Sequence, residues 1–175
     1  VYYKAHRIAH QACNAYEHHG NGRAESAIGT LSTRARALLA QSGAPRGYWP
    51  QALHYAAELD NRLTPTSSNS NMTCYQAFHN IAPDNSKIIT WGCQAWMWIE
   101  KNRRTDQRWD DTAIPCIFLG FAFHLGHKGY LLGSLNSRRF FISTNVSVDE
   151  AKFPYKNNAE AVKATAKVWG SNPIG

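Results

Sequence analysis

Apolar positions in the first third of the chain repeat at three- and four-residue spacing. Ile28, Leu31, Ala35, Leu38 and Leu39 fall on one stripe and predict a helix over residues 23–41. Asn21 stands where a side-chain cap belongs, and Ser42-Gly43 followed by Pro45 supplies a stop. A second helix is predicted from Pro50, a favourable first-turn residue, to Leu63. Its apolar positions are Leu53, Ala56, Ala57 and Leu59, with Trp49 just outside. The short connection makes the two helices antiparallel neighbours.

Residues 64–72 form a polar run without a periodic apolar face, and the period changes beyond it. Residues 87–99 are rich in β-formers, with Gly92 as a bulge or point of tight approach. Residues 114–123 read as a strand, 124–129 as a glycine-rich turn and 130–132 as the return. Residues 139–148 alternate Phe141 and Ser143 against Phe140, Ile142 and Thr144. Short strands separated by glycine turns predict a small antiparallel barrel. The fold class is therefore α+β, with helices over 1–65, a linker and short helix over 66–86, and a barrel over 87–155. Residues 156–175, rich in Ala and Lys, form a marginal helix or a basic tail.

Composition narrows the class. At 43% hydrophobic and 18% charged residues the chain has too much apolar material for a wholly disordered polymer. Its apolar runs fall short of the roughly 20 residues a membrane-spanning helix needs, so no membrane partner is expected. No secretory leader is recognisable at Val1, and the lack of an initiator Met reads as a piece of something longer. Nineteen Lys and Arg against twelve Asp and Glu give a net charge of +7, which favours polyanionic partners. Cys13, Cys74, Cys93 and Cys116 show no CxxC spacing, as expected of reduced thiols in a nuclear or cytoplasmic protein.

Three groups of residues carry candidate chemistry. Glu25 lies in the first turn of the first helix, where it is either a catalytic carboxylate or simply an acid favoured by the helix dipole. His6, His10, Cys13, His18 and His19 have the residue types of a zinc site but not its paired ligand spacing, and they read instead as surface residues. Trp96, Trp98, Lys101, Arg103, Arg104, Arg108 and Trp109 bring basic and aromatic side chains together on a strand and its loop. Such a set suits phosphates and exposed bases. The alternative is that the Trp96/Trp98 pair, two residues apart and so on one face, turns into the barrel core. Cys93 reads as a small buried hydrophobe.

The ordered motifs resemble one family. Asn21-Gly22-Arg23-Ala24-Glu25, Thr30-Leu31, Ala35-Arg36-Ala37-Leu38, Tyr48-Trp49 and Asn61-Arg62 are similar to the end of the integrase catalytic core in copia-type retrotransposon Pol polyproteins. Trp91-Gly92-Cys93-Gln94-Ala95, Ile117-Phe118-Leu119-Gly120-Phe121, Lys128-Gly129-Tyr130 and Ser143-Thr144-Asn145-Val146 with Asp149-Glu150 continue in the order of the SH3-like barrel that follows that core. The resemblance covers roughly residues 8–155.

It implies a ribonuclease-H-like core whose three carboxylates hold two Mg²⁺ or Mn²⁺ ions during DNA strand transfer, with Glu25 as the third. The first two acids would precede this segment, so the 175 residues alone are expected to be inactive. Arg23, Arg34, Arg36, Arg103 and Arg104 become candidate DNA contacts, integrase self-association a candidate partnership, and no small-molecule substrate is implied. The family's Arg directly after the Glu is replaced here by Ser26, and its Asn-Arg pair shortly beyond by Ile28-Gly29. Both a divergent lineage and a decaying copy fit that departure. The alternative function is a non-catalytic nucleic-acid-binding or scaffold module. Without the rest of the core, the stripe bearing Leu31, Leu38 and Leu39 lacks a partner, and residues 1–65 are expected to be less ordered than the barrel.

Overall fold

The computed structural model describes Arg7 and residues 22–66, 71–106, 108–124, 127–137 and 139–157. Its helices are α1 (Gly22–Ser42), α2 (Trp49–Leu63), α3 (Cys74–His79) and α4 (Pro154–Asn157). Its strands are β1 (Gln94–Trp98), β2 (Ala113–His124), β3 (His127–Ser134), β4 (Phe140–Ser143) and β5 (Val146–Asp149). Asn21, the His/Cys group at residues 6–19 and the chain beyond residue 157 lie outside the described residues.

α1 ends where Gly43 takes a positive φ of 69° and donates its N–H to the Leu39 carbonyl at 3.0 Å, the glycine-terminated helix stop. The Ser42 hydroxyl donates to Leu39 O at 3.2 Å and accepts from the Ala44 N–H at 3.1 Å, satisfying groups the helix end would leave bare. After a 3₁₀ turn over Arg46–Tyr48, α2 begins with Pro50 in its first turn. The polar run after α2 is pinched at its base by a bridge between Pro65 and Thr73. Thr73 then caps α3 by accepting the Gln76 N–H.

All strand pairs are antiparallel, in the order β4-β3-β2-β1-β5. The sequence pattern over residues 139–148 suggested one strand. The structure instead breaks it at Thr144-Asn145 and sends β4 and β5 to opposite edges. In a flat sheet those edges would stand about 19 Å apart, four strand spacings of ~4.8 Å. The three Cα steps from Ser143 to Val146 reach at most about 11 Å. The sheet must therefore curl strongly. It remains open all the same, since no β4–β5 ladder occurs among the described residues. In place of the small antiparallel barrel predicted from sequence there is thus a curled, open sheet, and the α+β class stands.

Helices and sheet share one core. Tyr48, Ala52, Tyr55 and Ala56 of the helical part are buried with Trp91, Cys93, Ala95, Cys116, Ile117, Phe118, Leu119 and Leu132 of the sheet part. The Tyr55 ring meets Phe118 edge-on at 5.7 Å and lies 6.1 Å from Phe121. It passes over Gly120, where β2 bulges with φ +141°. The polar tips of the buried aromatic side chains are matched. The Tyr55 hydroxyl donates to Ile89 O at 2.5 Å and the Trp91 indole to Leu119 O at 3.0 Å, while Tyr48 and Tyr155 share a hydroxyl contact at 3.2 Å. The α1 stripe is not left without a partner, because Leu38 and Leu39 pack against this same core. Burying these side chains beside the sheet supplies the apolar contact that the helix pair could not make by itself.

Candidate nucleic-acid interface

Glu25 and Arg23 sit on the first part of α1, where every residue from Gly22 to Thr30 is exposed and even Ile28 is 64% accessible. Thr30 and Thr33 turn their hydroxyls back onto the carbonyls of Ser26 and Gly29, at 3.0 Å each. Among the described residues no group of three His, Cys, Asp or Glu side chains converges to hold a metal. A hard divalent cation needs several oxygen ligands, so the described residues do not by themselves make such a site around Glu25.

The three arginines named from sequence on α1 have different fates. Arg23 is exposed. Arg34 is ion-paired with Asp60 of α2, and its guanidinium also donates to the Thr64 hydroxyl at 3.4 Å. Thr64 donates in turn to Asp60 at 2.6 Å, closing a small interhelical network. This network rims a shallow apolar groove of about 300 Å³ lined by Ala37, Leu38, Ala56 and Leu59. Arg34 is thereby committed to holding α1 on α2. Arg36 lies along its own helix, donating to Ser32 O at 3.4 Å and the Thr33 hydroxyl at 3.1 Å.

On β1 the alternation is the reverse of the inward-tryptophan expectation. Ala95 is buried and Met97 packs on the core, whereas Trp96 is half-buried and Trp98 is 44% exposed. The inward side is occupied by Phe118 and Trp91 together with the small Cys93 and Ala95. Trp109, in the loop after β1, is 86% exposed. Arg104 donates through Nε and Nη2 to the Ile99 carbonyl, at 3.2 and 2.7 Å, and so buttresses that loop. The Arg103 side chain lies outside the described residues. Lys101, Arg103, Arg104 and Arg108 are balanced by Glu100, Asp106, Asp110 and Asp111, so residues 100–111 carry no net charge. The aromatic surface foreseen here is present, but the basic field around it is cancelled locally.

Two polar links were not legible beforehand. Arg62 donates to Glu58 through Nε and Nη2, at 3.2 and 3.0 Å, and to Asp84 O at 3.3 Å, while its guanidinium lies 5.2 Å from the centre of the Tyr75 ring. It ties α2 to α3 and to the following loop. Glu150 accepts from both the N–H and the hydroxyl of Thr90, at 2.6 and 2.5 Å, clipping the end of β5 to the turn before β1. Only the motif residues Asn61-Arg62 and Asp149-Glu150 hinted at either.

Among the described residues the two buried thiols are not activated nucleophiles. Burial pushes the Cys93 thiol up to about 12 and the Cys116 thiol up to about 11, so both are neutral packing residues. Burial likewise raises the Tyr48 and Tyr55 phenols far above their usual range. Asp84 is held low by hydrogen bonds from Ser86, and Asp149 by its bond from Lys152.

Known proteins place this architecture. Residues 93–161 match the retroviral polymerase SH3-like domain family. Over 156 residues, 89% of the chain, it is 30% identical to the retrovirus-related Pol polyprotein from transposon RE1 of Arabidopsis thaliana, covering 10% of that protein. Identity to the corresponding polyprotein from transposon RE2 of the same plant is 27% over 88% of the chain and 10% of the relative. That from transposon TNT 1-94 of Nicotiana tabacum is 29% identical over 69% of the chain and 9% of the relative. No solved structure matches. The second half of the chain is thus an SH3-like unit of the retroviral-polymerase type, with a helical pair packed on it. The chain as a whole is a copia-type Pol fragment, and it spans about a tenth of the length of the curated relatives it matches.

Proposed function

We propose that this segment belongs to the integrase region of a retrotransposon Pol polyprotein. In this reading α1 and α2 are the last helices of a ribonuclease-H-like core, and the curled sheet is the SH3-like domain that docks DNA and neighbouring integrase subunits. Glu25 acts as the third acidic residue of a strand-transfer centre whose other acids, and whose Mg²⁺ or Mn²⁺, belong to the intact core. The setting is intracellular, nuclear or cytoplasmic.

The observation that carries the reading is similarity to a Pol polyprotein over 156 residues, 89% of the chain, a length that takes in both the helical pair and the sheet. The exposed position of Glu25 on the part of α1 that packs on nothing described is in keeping with a partner outside the segment. The test compares two chains with a labelled element-end DNA. The 175 residues alone should transfer no strand with either metal. A longer chain carrying the upstream core should do so, and its Glu25→Gln variant should lose the activity by at least a hundredfold. Full activity of that variant would remove Glu25 from the reaction.

A non-catalytic nucleic-acid-binding module, from a degenerate or domesticated copy, is favoured by one feature: Ser26 stands where the family pattern has Arg after the Glu. Activity of the longer chain separates the two readings.

A further inference from the structure

We propose that DNA phosphates are held by Arg46, Arg139 and Lys156, on a surface built around the Tyr48 side chain and not on the loop after β1. The inference deepens the DNA-docking role given above and rests on it.

These three residues are far apart in sequence and come together through Tyr48. The 3₁₀ turn Arg46–Tyr48 carries Arg46 and ends on Tyr48. The Tyr48 ring meets Phe140 edge-on at 6.1 Å, which brings in the start of β4 and its neighbour Arg139. The same ring lies 6.1 Å from Tyr155, and the two hydroxyls are 3.2 Å apart, which brings in α4 and its neighbour Lys156. The Lys156 backbone also stands 3.4 Å from where a Cβ on Gly43 would lie, three residues before Arg46. Tyr48 and Tyr155 are buried, so the three backbone segments are fixed against one another. Arg46, Arg139 and Lys156 are themselves exposed, beside the partly exposed Phe140.

Charge decides between this surface and the loop after β1. Residues 43–48, 134–140 and 153–157 contain no Asp or Glu, whereas residues 100–111 hold as many acids as bases. The two acids that precede Lys156 at the end of β5 are occupied elsewhere: Asp149 is bonded by Lys152 at 3.0 Å, and Glu150 accepts from Thr90. Uncompensated positive charge on a rigid base is what a phosphate backbone selects. The three cations stand on a 3₁₀ turn, the residue before β4 and a one-turn helix, with no long helix or ribbon to enter a groove, so the partner is duplex DNA gripped by its phosphates without sequence preference.

The test measures binding of the full 175-residue chain to a mixed-sequence duplex by fluorescence anisotropy over a salt series. Replacing all three residues by Ala should weaken binding by at least tenfold at low salt. It should also flatten the plot of log affinity against log salt by about 2 to 3, since each lost phosphate contact removes about 0.9. The all-Lys version (Arg46→Lys with Arg139→Lys) should keep the wild-type slope, and Lys101→Ala with Arg108→Ala should change affinity less than twofold. All are surface changes, and unchanged circular dichroism and melting confirm the fold. A wild-type chain that binds duplex while the triple variant binds equally well, or while the loop variant carries the loss, overturns this placement alone. A wild-type chain with no salt-sensitive duplex binding overturns the DNA-docking role itself.

Discussion

The Cβ of Ser42, at the last turn of α1, occupies the place that a side chain on Gly92 would need. Gly92 has a positive φ of 78°, and its N–H donates to Phe118 O at 2.8 Å. The helix end and the start of the sheet therefore touch backbone to side chain, at one residue pair fifty positions apart. This contact, with Tyr48 and Tyr55, makes the helices and the curled sheet one packed body.

Gly92→Ala should destabilise the chain by about 3 kcal/mol or more, from the left-handed backbone and the clash together. Ser42→Gly should be cheap to moderate by itself and should relieve part of the Gly92→Ala cost. A double-mutant cycle in urea tests this: additive effects would mean that the two sites do not press on each other.

Arg62→Lys keeps the charge but loses the planar fork that reaches Glu58 and Asp84 O together and faces Tyr75. A cost of about 1 to 2 kcal/mol is expected, with faster amide exchange in α3 and residues 80–86 than in the strands. Exchange that rises uniformly across the chain would show that Arg62 does not act as a local tie.

The buried thiols set a pH dependence. Both have folded values raised above their ordinary 9.0, so the neutral form is the one the fold favours. Their contribution is complete below about pH 9 and declines as pH rises toward 11 to 12, because only the unfolded chain then ionises them freely. The urea midpoint should fall over that range, and Cys93→Ala with Cys116→Ala should flatten the fall whatever the two cavities cost at neutral pH. In a Cys13→Ser background at pH 8, the exposed Cys74 should react with a thiol reagent at once, and the other two only on unfolding.

Glu25→Gln should change the unfolding free energy of this segment by no more than about 0.5 kcal/mol, because the side chain is exposed. A large loss of stability would give Glu25 a structural role and weaken its assignment to a reaction centre. Amide exchange should likewise be fast over residues 22–30 and slow in α2.

Much of the fold is written in local periodicity. The stripe from Ile28 to Leu39 with its Ser-Gly stop foretells α1, Pro50 foretells the start of α2, and the β-rich segment around residues 114–123 foretells β2. Each depends on neighbours a few residues away, and helix or strand spacing records such neighbours directly. The motif order, from Asn21-Gly22 to Asp149-Glu150, likewise marks the chain as Pol-like.

Pairings across long separations left no such trace. Nothing local told Trp96 and Trp98 to face outward, because both faces of a strand read alike until the volume opposite is known, and here Phe118 and Trp91 fill it. Arg34 resembled a DNA contact until α2 brought Asp60 beside it. Arg46, Arg139 and Lys156 were three unrelated basic residues until Tyr48 joined their loops. The break between β4 and β5 followed from the curl of the whole sheet. In each case burial and charge compensation are set by what arrives from elsewhere in the chain, and only folding brings those residues within reach.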